Sequence, residues 1–479
     1  MRILHIGSGF RPWRRGGLVT YVEDLMDAQV HHGHEVSYLF SGRQYPWLRR
    51  PRLRRWKRGG VSMLEIINSP LFDHGRQPEL ELAEPQIERI LAAVIRDVRP
   101  DIVHIQELAG LPSSVLEVVR ACGVPTVMTL QDYFALCPTF KLLDADGQVC
   151  LRTQIGADCV ATTAADPRDS AILFDATIRS DLSQSRLMQH VGQPRRNRLI
   201  ERYAKAGAAR APVDRGQLTV AEGGDLAPAF QRRREVNVAR LNRVDCLIAM
   251  SSRVAEIYAQ LGVAPERLRV LQLTLAHLEH LTPRRREPQR LIMFATLASF
   301  ESRAKGGHLL LDAVRQLASL VDPRCFRVRV FGSCEPDFAR EAETVPEIEV
   351  VGPYLPGQLD GLLDGIDVGL MTSIWEEAYG YAGLEFLAKG IPVIANAIGG
   401  MPAYTREGQT GWLNHSCSAG ELAQIMLDVI ERPDQISRLN ARIRASRHSI
   451  IKPMSRHVNE MDAVYMETLE QQTAAYDSP

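Results

Sequence analysis

The sequence predicts an α/β protein of two doubly wound, parallel-sheet domains facing each other across a cleft. Three observations predict it. Short β-rich runs alternate with stretches of helical periodicity, which requires crossover connections and therefore parallel strands. The alternation comes in two series, divided by the charged, proline-bounded segment Pro283 to Pro288. At 479 residues the chain exceeds what one core supports, since domains run to about 100–200 residues.

Taken in order, Arg2 to Ile6 reads as a strand. A loop with Gly7, Gly9, Gly16 and Gly17 follows, then a helix whose Val19, Val22, Leu25 and Met26 recur at helical spacing. Strands are predicted at Glu35 to Phe40, Ile102 to Ile105, Thr126 to Leu130 and Cys246 to Met250, with helices at Gln86 to Val98 and Ser113 to Cys122. Gly123-Val124-Pro125 and Gly262-Val263-Ala264-Pro265 stop helices, because glycine takes the left-handed cap and proline cannot continue the ladder. Residues 141–240 fit neither series, and their arginine-rich runs Arg195 to Arg210 and Gln231 to Arg240 predict a helical insertion. Beyond the linker, residues 281–290, strands are predicted at Leu291 to Ala295, Phe326 to Phe331, Ile348 to Val351, Asp367 to Met371 and Pro392 to Ala395. Helices fall at Gly307 to Ala318, Ala419 to Glu431 and Met454 to Leu469. The domains so defined are 1–280 and 291–450, with 451–479 a C-terminal helix and a polar, frayed tail.

Composition narrows the class. With 45% apolar and 24% charged residues the chain is neither disordered, collagenous nor a coiled coil. The longest apolar run, Ile90 to Ile95, falls far short of the roughly 20 residues that cross a bilayer. The opening strand breaks at Gly7, too early for a signal peptide. The 8 cysteines include no CxxC pair and suit a reducing compartment. These features predict a cytoplasmic location.

The chemistry concentrates in Trp375 to Ala395. A loop carries Glu377, Gly380 serves as a hinge, a two-turn helix carries Glu385, and Gly390-Ile391-Pro392-Val393 leads into the next strand. Free amides of Ala378, Tyr379, Gly380 and Tyr381 at the helix N-terminus suit a phosphate or sugar hydroxyls. Carboxylates eight residues apart, Glu377 and Glu385, can accept hydrogen bonds from hydroxyls at two ends of one polyol ligand. A nucleotide sugar fits both features. This block resembles the Glu-x7-Glu motif of the retaining family 4 glycosyltransferases, whose GT-B fold is two facing Rossmann-like domains. The resemblance extends to Gly16-Gly17, Gly33-His34-Glu35-Val36, Asp101-Ile102-Val103-His104, Ala249-Met250-Ser251, Lys305-Gly306 and the phosphate-side loop Ile398-Gly399-Gly400-Met401-Pro402.

The resemblance implies that the N-terminal domain binds the acceptor and the C-terminal domain a nucleoside diphosphate sugar. Glu377 would contact the transferred sugar, Glu385 the ribose, Tyr354 the base, and Gly16 and Gly17 the donor from the opposite domain. Lys305 would hold the diphosphate. The family's second cation falls on Ser299 or Phe300 here, so Arg303 is the expected substitute. Gln131 stands where relatives have a sugar-facing histidine, and an amide can orient a hydroxyl but cannot shuttle a proton. Family transfer proceeds by front-side displacement with no dedicated base, no cofactor and no metal. His104 is expected to be a satisfied core histidine. Asp144-Ala145-Asp146-Gly147 reads as a hairpin turn rather than a metal-holding Asp-x-Asp, and Cys137, Cys150 and Cys159 lack zinc-site spacing. The C-terminal helix is expected to cross back to the N-terminal domain. A nucleotide-sugar epimerase, a phosphorylase or a catalytically silent binding partner are the competing readings.

The zero net charge, 57 cations against 57 anions, is an average. Seven of the ten residues 49–58 are basic, with Trp47, Leu48, Leu53 and Trp56 interleaved. Residues 47–58 are therefore expected to form a loop that docks on an anionic membrane, placing the enzyme peripherally on the inner face of the plasma membrane beside a lipid-linked hydroxyl acceptor. No nucleic-acid recognition module accompanies them.

Overall fold

The computed structural model describes residues 1–10, 14, 16–45, 50–72, 77–144, 146–161, 220–287 and 290–477, with isolated positions between 177 and 202. Among them, β1 (Arg2–Gly7), β2 (Glu35–Ser41), β3 (Arg52–Arg58), β4 (Val61–Ile67), β5 (Ile102–Ile105), β6 (Thr126–Leu130), β7 (Cys246–Ala249) and β8 (Leu268–Val270) form one sheet, in the order β3-β4-β2-β1-β5-β6-β7-β8. A second sheet holds β9 (Ile292–Thr296), β10 (Phe326–Phe331), β11 (Ile348–Gly352), β12 (Val368–Met371), β13 (Val393–Asn396) and β14 (Gly411–Asn414), ordered β11-β10-β9-β12-β13-β14. Central strands are largely apolar because helices cover both faces: Ile3, Leu4 and Ile6 of β1 and Val368 and Leu370 of β12 are all sealed from solvent.

Strand order decides where a ligand can sit. It reverses between β1 and β5 in the first sheet and between β9 and β12 in the second. Crevices open outside the carboxyl ends of strands at such reversals. Lys305 follows β9 and Glu377 follows β12, so both are delivered to the second switch point.

The structure departs from expectation at the basic stretch. Arg52–Arg58 is a strand, not a docking loop; it pairs antiparallel with β4 across the two-residue turn Gly59-Gly60. That Gly-Gly turn is a hairpin signal in the sequence itself. Trp56 is half-buried against Phe10, ring centroids 5.5 Å apart, so its indole is turned into the protein. Trp47, Leu48 and Arg49 lie outside the described residues. Of the expected insertion, the structure describes a hairpin bridged at Leu143 and Val149, a helix Ala157–Ala161 and a helix Val220–Leu241. Most of Arg195 to Arg210 lies outside the described residues.

The C-terminal helix Met454–Asp477 leaves the second domain and packs on the first. Its Tyr465 is fully buried, within 2.7 Å of His104 Nδ1 and accepting from Gln29 Nε2 at 3.1 Å. His104 Nε2 meets Thr129 Oγ1 at 2.8 Å, and His5 Nε2 meets Gln29 Oε1 at 2.7 Å. Both histidines are core residues with partners at the ring nitrogens.

Candidate functional site

Two residues 72 positions apart meet at the second switch point: Lys305 Nζ donates to Glu377 Oε1 at 2.7 Å. Lys305 ends a short turn after β9, and its carbonyl accepts from Thr372 Oγ1 at 3.0 Å, locking that turn to the end of β12. Ser373 Oγ donates to Glu377 Oε2 at 2.5 Å. Burial pushes the Glu377 carboxyl up, but the Lys305 charge and the hydrogen bonds from Lys305, Ser373 and Trp375 outweigh it, holding the pKa below the usual glutamate value. Glu377 is therefore an ionised acceptor, and Lys305 keeps two further N–H bonds for another anion.

The helix Tyr381–Ala388 starts at Gly380, whose φ of 76° is left-handed. A Cβ there would lie 2.8 Å from the Tyr404 hydroxyl, which donates to the Gly380 carbonyl at 2.9 Å. Ala378, Tyr379 and Gly380 are buried, and their amides have no acceptor among the described residues. Such amides at a helix start are an anion site. Near the far end of the helix, Glu385 Oε1 lies 2.8 Å from His277 Nε2. Tyr354 is close by: burial, with the Glu385 charge adding, pushes its hydroxyl pKa up.

In the loop expected on the phosphate side, the two glycine amides are engaged within the protein. Gly399 N donates to Glu376 Oε2 at 3.0 Å and Gly400 N to the Glu377 carbonyl at 2.7 Å. A Cβ on either glycine would come within 2.3 Å of the 376–379 backbone. The glycine pair buttresses the glutamate loop, and its amides are consumed in doing so.

The first domain closes the cleft. Gly16 caps the helix Gly17–His31 at φ 119°, with nothing within 4 Å of where its Cβ would be. Gly17 faces Tyr381 so closely that a Cβ would lie 2.5 Å from the ring. Gln131 is 8% exposed, at the end of β6; its Nε2 donates to Gln106 Oε1 at 3.1 Å, while its Oε1 is buried without a hydrogen-bond partner among the described residues. Asp132 accepts from Phe134 N at 2.9 Å and so caps its own turn. Arg303 does not join Lys305 on Glu377. It lines a cleft of about 400 Å³ between residues 146–149 and His308, Ile374 and Ile398. Asp144 accepts from the amides of Asp146 and Gln148 at 3.0 and 2.8 Å, the hairpin turn the sequence predicts. Arg152 bonds both Cys150 and Cys159, at 3.1 and 3.0 Å, and all 8 cysteines are free thiols.

Sequence reasoning missed three residues that build this site. Arg253 grips Glu376 across the domain boundary with Nε at 3.1–3.2 Å and Nη2 at 2.5 Å. Ser251, which caps the Ser252–Gln260 helix, donates to the Ala378 carbonyl at 3.2 Å. His277 is the third. Only Ser251 left a trace, as the last residue of the quoted Ala249-Met250-Ser251.

A profile of the family described as "Glycosyl transferases group 1" matches residues 289–432, and one described as "Glycosyl transferase 4-like domain" matches residues 16–172. A D-inositol 3-phosphate glycosyltransferase of Corynebacterium aurimucosum is 24% identical over 226 residues, 43% of this chain and 53% of that one. A putative colanic acid biosynthesis glycosyltransferase of Salmonella typhimurium is 26% identical over 193 residues, 38% of this chain and 46% of that one. The chain spans about half the length of these two relatives. Among solved structures, a sucrose-phosphate synthase of Thermosynechococcus elongatus superposes with TM-score 0.60 at 14% identity, covering 98% of this chain and 100% of that one. Anabaena HepE, in complex with UDP and glucose, gives 0.58 at 14% identity, covering 98% and 99%. At these identities the likeness establishes the fold, GT-B, alone.

Proposed function

Because the chain belongs to the GT4-type glycosyltransferases of GT-B fold, we propose that it moves a sugar, with retention, from a nucleoside diphosphate sugar to a hydroxyl acceptor. One observation carries the reading: an ionised Glu377 held by Lys305, beside amides of Ala378, Tyr379 and Gly380 that are unpaired among the described residues, at a helix start in the interdomain cleft. The cations and amides suit a diphosphate, and the carboxylate suits sugar hydroxyls. Glu385, 13% exposed and engaged with His277, accepts from the ribose, and Tyr354 lies on the base side.

In this reading the donor's diphosphate spans Lys305 and the free amides. Charge gathers on the departing phosphate as the glycosidic bond breaks, and preorganised donors lower the barrier most at that moment. Front-side displacement lets the leaving phosphate oxygen take the acceptor proton, so no protein base is required. Gln131 orients a hydroxyl with its unsatisfied Oε1. Arg303, facing the 400 Å³ cleft rather than Glu377, meets an anionic part of donor or acceptor there. A thermal-shift panel of UDP, GDP, ADP and dTDP sugars tests the donor; no stabilisation by any of them would sink the assignment. The product anomer, read by NMR, tests retention.

The acceptor is assigned to a membrane-borne glycan or glycoconjugate, reached by a chain docked on the cytoplasmic face. Arg52, Arg54 and Lys57 of β3 are exposed and have no ion-pair partner among the described residues, whereas Arg55 and Arg58 are paired with Asp97 and Glu23. Each unpaired cation near an anionic surface contributes up to about 1 kcal/mol before screening. Sedimentation with phosphatidylserine vesicles is expected at low salt and lost at high salt; absence of low-salt binding refutes the docking.

A further inference from the structure

On the far side of the first domain, His32 and His34 flank Gly33, whose φ of 90° is left-handed and folds the chain back on itself. The two imidazoles are brought together, ring centroids 5.6 Å apart. Asp462, on the C-terminal helix and more than 400 residues away in sequence, meets both: Oδ2 lies 2.9 Å from His32 Nδ1 and 3.0 Å from His34 Nε2. One ligand atom from each residue lies within 4.8 Å of the other two. Both Asp462 oxygens lie 3.0 Å from His34 Nε2, so the carboxylate is aimed at the imidazole pair.

We propose that His32, His34 and Asp462 bind a divalent transition-metal ion, outside the donor cleft and separate from the transfer reaction. Two imidazoles and one carboxylate are the donors of Zn²⁺ and its neighbours in the series; Mg²⁺ and Ca²⁺ take oxygen sets. Ligands of a tetrahedral zinc, at about 2.0–2.1 Å from the ion, stand roughly 3.3 Å apart. The two separations from Asp462, 2.9 and 3.0 Å, need to open by a few tenths of an ångström, and the imidazole nitrogens, within 4.8 Å of each other, need to settle to the same spacing. His32 is 47% exposed on its side chain while His34 is 10% exposed, so the site has an entry path and room for a water as fourth ligand. His34 Nδ1 lies 3.2 Å from the Met1 amino nitrogen. The ion staples the C-terminal helix to the first domain, close to where Tyr465 is buried.

The full chain, stripped with chelator, is expected to bind one equivalent of Zn²⁺ in equilibrium dialysis and to melt at least about 2 °C higher with zinc in excess, with no effect of Mg²⁺. Asp462→Asn and His32→Gln should each abolish stoichiometric binding and the shift. His32 is exposed enough that its variant keeps the fold, which circular dichroism checks. His415→Gln, at the exposed two-residue pair His415–Glu407, should leave both readouts unchanged. Absence of stoichiometric zinc in the wild type, or binding that survives both Asp462→Asn and His32→Gln, overturns the proposal.

Discussion

Lys305 and Glu377 define each other. In the folded protein the Glu377 pKa is depressed, so its ionised form adds stability above the ordinary glutamate value of about 4.3, and that gain is lost as pH falls through the lower folded value. Lys305→Met removes the charge and one hydrogen bond that offset burial, leaving only Ser373 and Trp375 against it, so the Glu377 pKa should rise and the stability it adds above about 4.3 should shrink. Melting curves from pH 3 to 7 should rise less steeply with pH in the variant; parallel curves would refute the coupling. Glu377→Gln keeps the shape but not the charge. It should lower kcat by about 100-fold or more, the usual loss for a group that stabilises a transition state, with a wild-type melting profile at pH 7 or a milder loss than Lys305→Met shows. Glu377 and Glu385 stood out in sequence by their eight-residue spacing across Gly380 and a helix start, and Lys305 through the resemblance carried by Lys305-Gly306. Arg303, two residues from Lys305 along the same tight turn, lines the cleft beside residues 146–149.

Between elements, the glutamate loop is held from three sides: by Arg253 and Ser251 of the first domain, by the Gly399-Gly400 loop, and by the turn after β9. Arg253→Gln breaks the cross-domain grip on Glu376 without touching Glu377. Its expected signature is a several-fold rise in donor KM with kcat changed less, and a partial return in Arg253→Lys; an unchanged KM would show that the grip is incidental. Gly400→Ala forces a methyl toward the Ala378 carbonyl at 2.3 Å, and overpacking of this kind costs about 1–3 kcal/mol, readable as a lowered denaturation midpoint. Elements themselves were read well where period and punctuation agree: β5, β6 and β10 lie where the sequence predicts them, residue for residue. The β3–β4 hairpin was missed because a run of arginines does not look like a strand, although an edge strand tolerates charge and is protected by it from pairing with other chains.

At the scale of the whole molecule, the C-terminal helix closes over a buried polar network in the first domain. Burial, only partly offset by Gln29, lowers the His5 pKa to about 4, and burial with the neighbouring histidines lowers His104 further from its usual range. Both must stay neutral for the fold to hold. Their contribution is complete above the unfolded histidine value of about 6.5 and is lost as pH falls from there through about 4. The melting temperature should therefore drop between pH 7 and pH 5, and His104→Asn should flatten that drop; an equally steep profile in the variant would show that the acid sensitivity arises elsewhere. By itself the sequence determined two series of parallel strands and the loops at their carboxyl ends, since hydrophobic period and glycine or proline punctuation act between near neighbours. Only the tertiary structure decided which side chains meet there. Arg253 with Glu376, Gly17 with Tyr381, His277 with Glu385 and Asp462 with His32 are pairs separated by more than 100 residues, and no local pattern encodes a contact that exists only once two domains and a returning helix have packed together.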